Sequence, residues 1–265
     1  MSESLSELNA AAIQSYLPQA LQNLITNYHI FPQLASTSEW LLQQQVCQQL
    51  CLAEQQTAAR GRRGRTWHAP AGNVYFSLRW CFEAVPAHYG WLSLVAGVAI
   101  AKGLQDYGLT NHKIKWPNDI YHNNRKLCGI LLQTATPLQQ VVVSFGLNAN
   151  MSPEHLDNDA ATTQPWCDLA SILGQTVDRN RLIAVILTHL LPALQDFLKF
   201  DHKAFLNEWQ PWDLLENCRV AINTGTEKVE GVVHGLDKQG RLQVMLPDHS
   251  IQTYSSADIS VRKQS

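Results

Sequence analysis

Apolar residues recur at three- and four-residue intervals over 5–28 (Leu5, Leu8, Ile13, Leu17, Leu21, Leu24, Ile25), the spacing of a helix, and Pro18 breaks it. The stretch STSE at 36–39 has the form of a capping box, with Ser36 as N-cap and Glu39 at the third helical position, and predicts a helix to about Leu50. NVYFSLRW at 73–80 alternates as a strand does, and 88–107 reads as a mostly buried helix rich in Ala, Val and Leu. HKIKW, KLCGILLQ and QVVVSFGLN follow as short strands, the last apolar enough to lie centrally in a sheet. Residues 149–165 are polar with two prolines and read as a mobile loop, and two helices are expected near 166–173 and 178–199. From about Asn217 the pattern changes to short strands separated by Gly, Asp and Asn turns, which suggests a small β-barrel appended to an α/β domain. The expected division is a helical extension over 1–30, a central domain over 31–216 and a barrel over 217–265.

Composition narrows this picture. With 265 residues, 45% hydrophobic, the chain can bury one large core and a small one. A net charge of −2 argues against a general polyanion binder. The N-terminus MSESLSEL is acidic, unlike a signal peptide, and the longest apolar run, LSLVAGVAIA, is far shorter than the about 20 residues that span a bilayer. Six cysteines (47, 51, 81, 128, 167, 218) show no CxxC pair, so a cytoplasmic protein with reduced thiols is expected, Cys47 and Cys51 being buried packing. No residue up to Ala59 is Lys or Arg, which speaks against a DNA-reading helix in that segment.

The positive charge is gathered instead in AARGRRGRTW at 58–67, where Arg60, Arg62, Arg63 and Arg65 are spaced by Gly61 and Gly64. A P-loop would need Gly at 59, Lys at 65 and a following helix, whereas Ala59, Arg65 and a strand-like run stand there. An RG-rich nucleic-acid segment normally lies in a long disordered basic region, and this one sits between apolar elements. A solvated turn would leave four like charges repelling one another. The remaining reading is a loop that closes on an anionic small molecule, glycines admitting the ligand and guanidinium forks gripping its oxygens.

QQTAARGRRGRTW resembles the glycine–arginine loop of bacterial biotin protein ligases, and KIKWPNDIY at 113–121, RKLCGILLQ at 125–133 and SFGLNAN at 144–150 resemble that family's next three motifs, in order. The resemblance runs from about Phe31 to Arg262 and is to the monofunctional form, without an N-terminal helix-turn-helix. It implies an α/β fold of the α+β type, a mixed sheet flanked by helices in the manner of class II synthetases, ending in an SH3-like barrel. It also implies a two-step reaction: biotin and ATP give biotinyl-AMP, and a lysine of a biotin carboxyl carrier domain then takes the biotinyl group. Mg²⁺ is expected on the phosphates.

By the same resemblance, Ser36, Thr37 and Ser38 stand where the family has Ser-Thr-Asn and would bind biotin, together with Gln56, Arg60, Gly61 and Arg62. Ser36 would serve as N-cap as well. Ala59 replaces a usual glycine; were that glycine at positive φ, alanine would cost about 1 kcal/mol. Lys115 and Arg62 are the catalytic candidates, Lys115 bridging biotin's carboxylate and the α-phosphate. Arg62, Arg65, Asn118, Lys126, Asn148, Trp166 and Arg262 are candidates for ATP and the adenylate, Asn148 reading adenine and Trp166 covering it. Trp166 has a plain alternative as a hydrophobic staple for the next helix, and Asn118 and Asp119 have one as turn residues. No metal-binding cluster and no acyl-carrying cysteine is evident.

The partner implied is the carrier domain of acetyl-CoA carboxylase, with other biotin-dependent carboxylases alongside, and neither nucleic acid nor membrane; a monomer or weak homodimer is expected. Two alternatives stay open: a lipoate-type ligase, and a nucleic-acid binder using the arginine loop.

Overall fold

Strands β1 (Asn27–Phe31), β2 (Gln49–Ala53), β3 (Val74–Cys81), β4 (His112–Lys115), β5 (Asp119–His122), β6 (Arg125–Ala135) and β7 (Gln140–Leu147) form one sheet in the order β1-β2-β3-β7-β6-β5-β4. Only β1 and β2 run parallel; the other pairs are antiparallel, so the sheet is mixed. The structure is a computed structural model that describes residues 6–137, 139–151, 165–224, 227–255 and 260–263. The helices are α1 (Ala10–Tyr16), α2 (Gln19–Gln22), α3 (Thr37–Leu42), α4 (Tyr89–Tyr107), α5 (Leu169–Leu173), α6 (Arg179–Gln195) and α7 (His202–Trp209).

Alternation along the strands decides which face is which. Leu50, Leu52, Phe76, Leu78, Phe145 and Ile130 join the large core with α4 and α6. These two helices pack so closely that a Cβ on Gly103 would lie 2.7 Å from the Ile186 backbone. The intervening residues, among them Cys51, Ser77, Ser144, Gly146 and Gly129, face the other way, where α3 covers only part of the sheet. That half-covered face carries the polar groups.

α1 is capped by Asn9, whose side chain accepts from the Ala12 N–H at 3.0 Å, and it stops before Pro18 as the pattern predicts. Its Ile13, with Leu8, Leu17 and Ile25, lies in the same core as α4 and α6. The helix opened by Ser36 ends at Leu42, short of the expected Leu50. Gln49–Ala53 is wholly buried as the strand between β1 and β3, and that tertiary demand overrides the helix. β1, β2, β5 and α7 were not expected from the pattern.

The expectation of six reduced thiols is corrected by a disulfide between Cys47 and Cys81, whose Cα atoms are 5.6 Å apart. The register explains it: Gln49 pairs with Arg79 across antiparallel strands, so the residues two before and two after come opposite one another. Cys51, Cys128 and Cys167 remain free and buried, and burial pushes the thiols of Cys51 and Cys167 up to about 12 and about 11. In the native, unreduced protein, alkylation followed by mass spectrometry should therefore label Cys218, the one half-buried free thiol, and leave these three unmodified. Labelling of Cys51 or Cys128 in the folded state would contradict this packing.

The C-terminal segment folds as a second sheet of β8 (Arg219–Asn223), β9 (Lys228–Leu236), β10 (Leu242–Met245), β11 (Ile251–Tyr254) and β12 (Ser260–Lys263), antiparallel throughout in the order β11-β10-β9-β8-β12. It docks by the turn between β9 and β10. Trp91 Nε1 donates to Lys238 O and Trp116 Nε1 to Gly240 O, each at 3.0 Å. Gly90 lies under this turn, and a Cβ there would come within 2.4 Å of Gln239 O. Gly90→Ala should therefore cost about 1–3 kcal/mol and lower Tm; an unchanged melt would show that the turn moves freely.

Candidate active site

The N-terminus of α3 brings three small hydroxyls to the half-covered face. Ser36 caps the helix, accepting from the Glu39 N–H at 3.4 Å, and its Oγ lies 3.1 Å from Ser38 Oγ. Thr37 donates to Gln56 Oε1 twice, from its backbone N–H at 2.7 Å and from Oγ1 at 3.1 Å. Thr37 Oγ1 also lies 2.8 Å from Ser77 Oγ, which donates to Ser144 Oγ at 2.8 Å. Ser36, Thr37, Ser38, Ser77 and Ser144 are all buried. Such a row of hydroxyls beside an apolar sheet suits a ligand with one compact polar end.

Next to it Trp67 covers two glycines of the sheet. Gly129 on β6 and Gly146 on β7 are register partners, and a Cβ on either would meet the Trp67 ring, at 2.9 Å and 2.7 Å. Trp67 in turn packs with Ala59, Ala69 and Tyr75. The glycines thus make room for the Trp67 ring against the sheet.

The arginine loop is closed at its base by a bridge between Arg60 and Thr66, by Gly61 N–H donating to Arg65 O at 2.7 Å and by Trp67 N–H donating to Ala59 O at 3.0 Å. The turn is made by Arg63 and Gly64, both left-handed (φ 61° and 72°). Ala59 has no positive φ and its side chain packs in the tryptophan cluster, so the anticipated strain of replacing a glycine there does not arise. Arg60 pairs with Glu39 at 3.6 Å on the surface. Arg62 folds inward and donates from Nη1 to Asn118 Oδ1 at 3.1 Å, while Asn118 Nδ2 donates to Ile130 O at 2.7 Å. Asn118 is therefore a rest for Arg62, anchored on the sheet.

Beyond Trp67, cations gather around Asp119. Lys126 Nζ is 2.9 Å from Asp119 Oδ2 and 5.0 Å from the Trp67 ring centroid. Lys115 Nζ lies over Tyr121 at 5.3 Å. Burial, above all, holds the Lys115 ammonium below the usual lysine range; Lys126, Arg262 and Arg65 add to the shift and Asp119 opposes it. Arg62 is pushed down likewise by burial, with Asp119 opposing and Arg63 and Arg65 adding. Lys115, Lys126, Arg62 and Arg65 thus share one neighbourhood with Arg262, which β12 of the C-terminal sheet supplies. Among the described residues Asp119 is the one carboxylate placed with them, and it cannot balance them.

The nucleotide-side candidates are placed less simply. Asn148 is buried and its Nδ2 donates to Cys167 O at 3.0 Å, so this amide ties the segment after the polar loop to the end of β7. Trp166 bridges in parallel to Lys126, whose N–H donates to Pro165 O at 2.9 Å. The polar loop expected over 149–165 falls mostly outside the described residues. Sequence reading missed Ser77, Ser144, Trp67, Gly129 and Gly146. A serine or glycine inside an otherwise apolar strand was the available signal for four of them.

Geometry of this kind, a polar cradle, a tryptophan wall over two sheet glycines and a surplus of cations at its far end, defines a class of domain that holds a small organic acid against a second, polyanionic substrate. The chain belongs to the Biotin/lipoate A/B protein ligase family: residues 30–148 match that family and residues 217–262 match the Biotin protein ligase C terminal domain. It is 34% identical over 238 residues to the Bifunctional ligase/repressor BirA of Escherichia coli, covering 88% of this chain and 73% of that protein. It is 32% identical over 197 residues to the Biotin--[acetyl-CoA-carboxylase] ligase of Mycobacterium tuberculosis, covering 72% and 71%. Among solved structures, the biotin protein ligase of Aquifex aeolicus in complex with biotin and ATP superposes with a TM-score of 0.79 at 25% identity, covering 91% of this chain and 100% of that one.

Proposed function

We propose that the protein is a biotin–[acetyl-CoA-carboxylase] ligase, which activates biotin as biotinyl-AMP and passes the biotinyl group to a lysine of a carrier domain. The observation that supports this best is the convergence of Lys115, Lys126, Arg62, Arg65 and Arg262 at the end of a buried hydroxyl cradle. In this reading the ureido ring sits among Ser36, Thr37, Ser38, Gln56, Ser77 and Ser144, and Gln56 Oε1, already holding two donors from Thr37, leaves Nε2 as its donating end. The body of biotin runs along the Trp67 ring that covers Gly129 and Gly146, with Gly61 and Arg60 of the loop above it.

The carboxylate then meets Lys126, Lys115 and Arg62. The first step sets an anion on the α-phosphate of a polyanion, and two unit charges 4 Å apart repel by about 4 kcal/mol at an effective dielectric near 20. Hydrogen bonds to charged groups, at about 1.5–3 kcal/mol each, offset this. A carboxylate oxygen of biotin bonds to the α-phosphorus and pyrophosphate leaves. In the second step the acceptor lysine's amine bonds to the acyl carbon, and AMP leaves with the electron pair of the anhydride. Asn118 steadies Arg62, Arg65 and Arg262 meet the nucleotide, and Asn148 and Trp166 border the adenine side. Residues 1–30 are read as an extension of the 31–216 domain, save that 27–30 already belong to strand β1 of its sheet, and 217–265 as the domain that delivers Arg262.

Among the described residues no group of three or more His, Cys, Asp or Glu could hold a metal ion. Among the described residues Asp119 is the one carboxylate within this cation cluster, ion-paired through Oδ2 while its buried Oδ1 lacks a partner there. The residues therefore suit Mg²⁺ carried in on the triphosphate rather than caged by protein, where it would neutralise phosphate charge.

Incubation with ATP, a carrier domain and either biotin or lipoate tests the reading by mass. Addition of a biotinyl group, and none with lipoate, is expected; addition of a lipoyl group alone would move the chain to the lipoate-type ligases. Salt-sensitive DNA binding without ligand-dependent pyrophosphate release would instead favour the nucleic-acid reading.

A further inference from the structure

Arg79, on β3, is only 1% exposed, and among the described residues no carboxylate pairs with it. Its guanidinium donates to two neutral oxygens: Leu41 O from Nη1 at 2.9 Å, and Gln140 Oε1 from Nη2. A buried cation without a counter-ion is costly, so what it holds has to justify its place. Leu41 lies in the last turn of α3; its carbonyl accepts from the Gln44 N–H at 3.1 Å, and Arg79 adds a second, charged donor that fixes this turn to the sheet.

The first turn of α3 is tied to the same strand, through Thr37 Oγ1 and Ser77 Oγ at 2.8 Å. Ser77 and Arg79 point to one face of the sheet and are about 6.8 Å apart along the strand. Thr37 and Leu41, four helical residues apart, are separated by about 6 Å along the helix axis. The two spacings match. Cys81, two residues further on that face, continues the series by its disulfide to Cys47 in the segment after α3. Three side chains of β3, in order, therefore hold three successive points of the α3 segment, and Arg79 holds the end remote from the hydroxyl cradle.

We propose that Arg79 is a positioning residue for biotin: by gripping the C-terminal turn of α3 through Leu41 O, it fixes the Ser36–Thr37–Ser38 cradle against Ser77 and Gln56. The proposal rests on the reading of that cradle as the biotin site. Its test is biotin-dependent pyrophosphate release with biotin and ATP varied separately, beside a thermal melt. Arg79→Met should raise KM for biotin about tenfold or more, with KM for ATP and kcat at saturating biotin within about twofold, the signature of binding lost equally from ground and transition state. Arg79→Lys, which keeps a donor for Leu41 O, should recover part of the loss.

An unchanged KM for biotin in folded Arg79→Met overturns the proposal, as does a fall in kcat alone. Should Arg79→Met not fold, Arg79→Lys and Gln140→Leu decide it: a several-fold rise in KM for biotin supports the role, and no rise in either overturns it. Wild-type protein that releases no pyrophosphate with biotin would remove the functional reading itself, an outcome seen before any substitution is made.

Discussion

Lys126→Ala will lower biotinyl-AMP formation by about 10²–10³-fold, the usual loss when one preorganised donor at a developing charge is removed. Lys126 sits on β6 against Trp67 and is paired with Asp119 at 2.9 Å. Its removal takes away the cation nearest the glycine floor and leaves Asp119 facing two anionic substrates. Lys115→Ala should be damaging in the same direction, because Lys115 feels Lys126, Arg65 and Arg262 and so belongs to the same field. The measurement is single-turnover formation of biotinyl-AMP at saturating ATP. A Lys126→Ala protein within fivefold of wild type would show that the field is supplied elsewhere.

Arg62→Ala should cost about 10²-fold in the same step with little loss of stability. Its guanidinium is half-buried, and its bond from Nη1 to Asn118 Oδ1 joins the loop to the sheet without entering the core. Asn118 keeps its own anchor to Ile130 O when Arg62 is gone. The melt of the unliganded variant should therefore stay close to wild type, while the stabilisation given by biotin plus ATP should shrink, since a ligand raises stability only as far as it binds the folded state. A large fall in Tm of the unliganded protein would make Arg62 a structural residue. Arg60→Ala offers the contrast: its pairing with Glu39 at 3.6 Å is exposed and contributes little to stability.

The arginine loop was legible in the sequence because its signal is local: four cations and two glycines in a chain otherwise poor in charge over its first sixty residues. The N-cap at Ser36 and the strands at 73–80 and 140–148 were legible for the same reason, each being set by neighbours in the chain. What escaped depends on partners distant in sequence. Gln49–Ala53 looks helical until β1 and β3 flank it, and Cys47 meets Cys81 only through the Gln49–Arg79 register. Ser77 and Ser144 become neighbours behind Thr37 only through the β3–β7 register. Asn148 was read as an adenine contact from its place after an apolar strand, and the structure gives its amide a backbone partner at Cys167 O.

The gathering of cations around two mutually repelling substrates is tested most directly by a crystal structure of the protein with biotinyl-AMP. Lys126, Lys115 and Arg62 should each lie within hydrogen-bonding distance of the mixed anhydride's acyl or phosphoryl oxygens, with the ureido ring against Thr37 and Gln56. An adenylate bound elsewhere, or residues 58–66 turned out into solvent with the ligand in place, would contradict it.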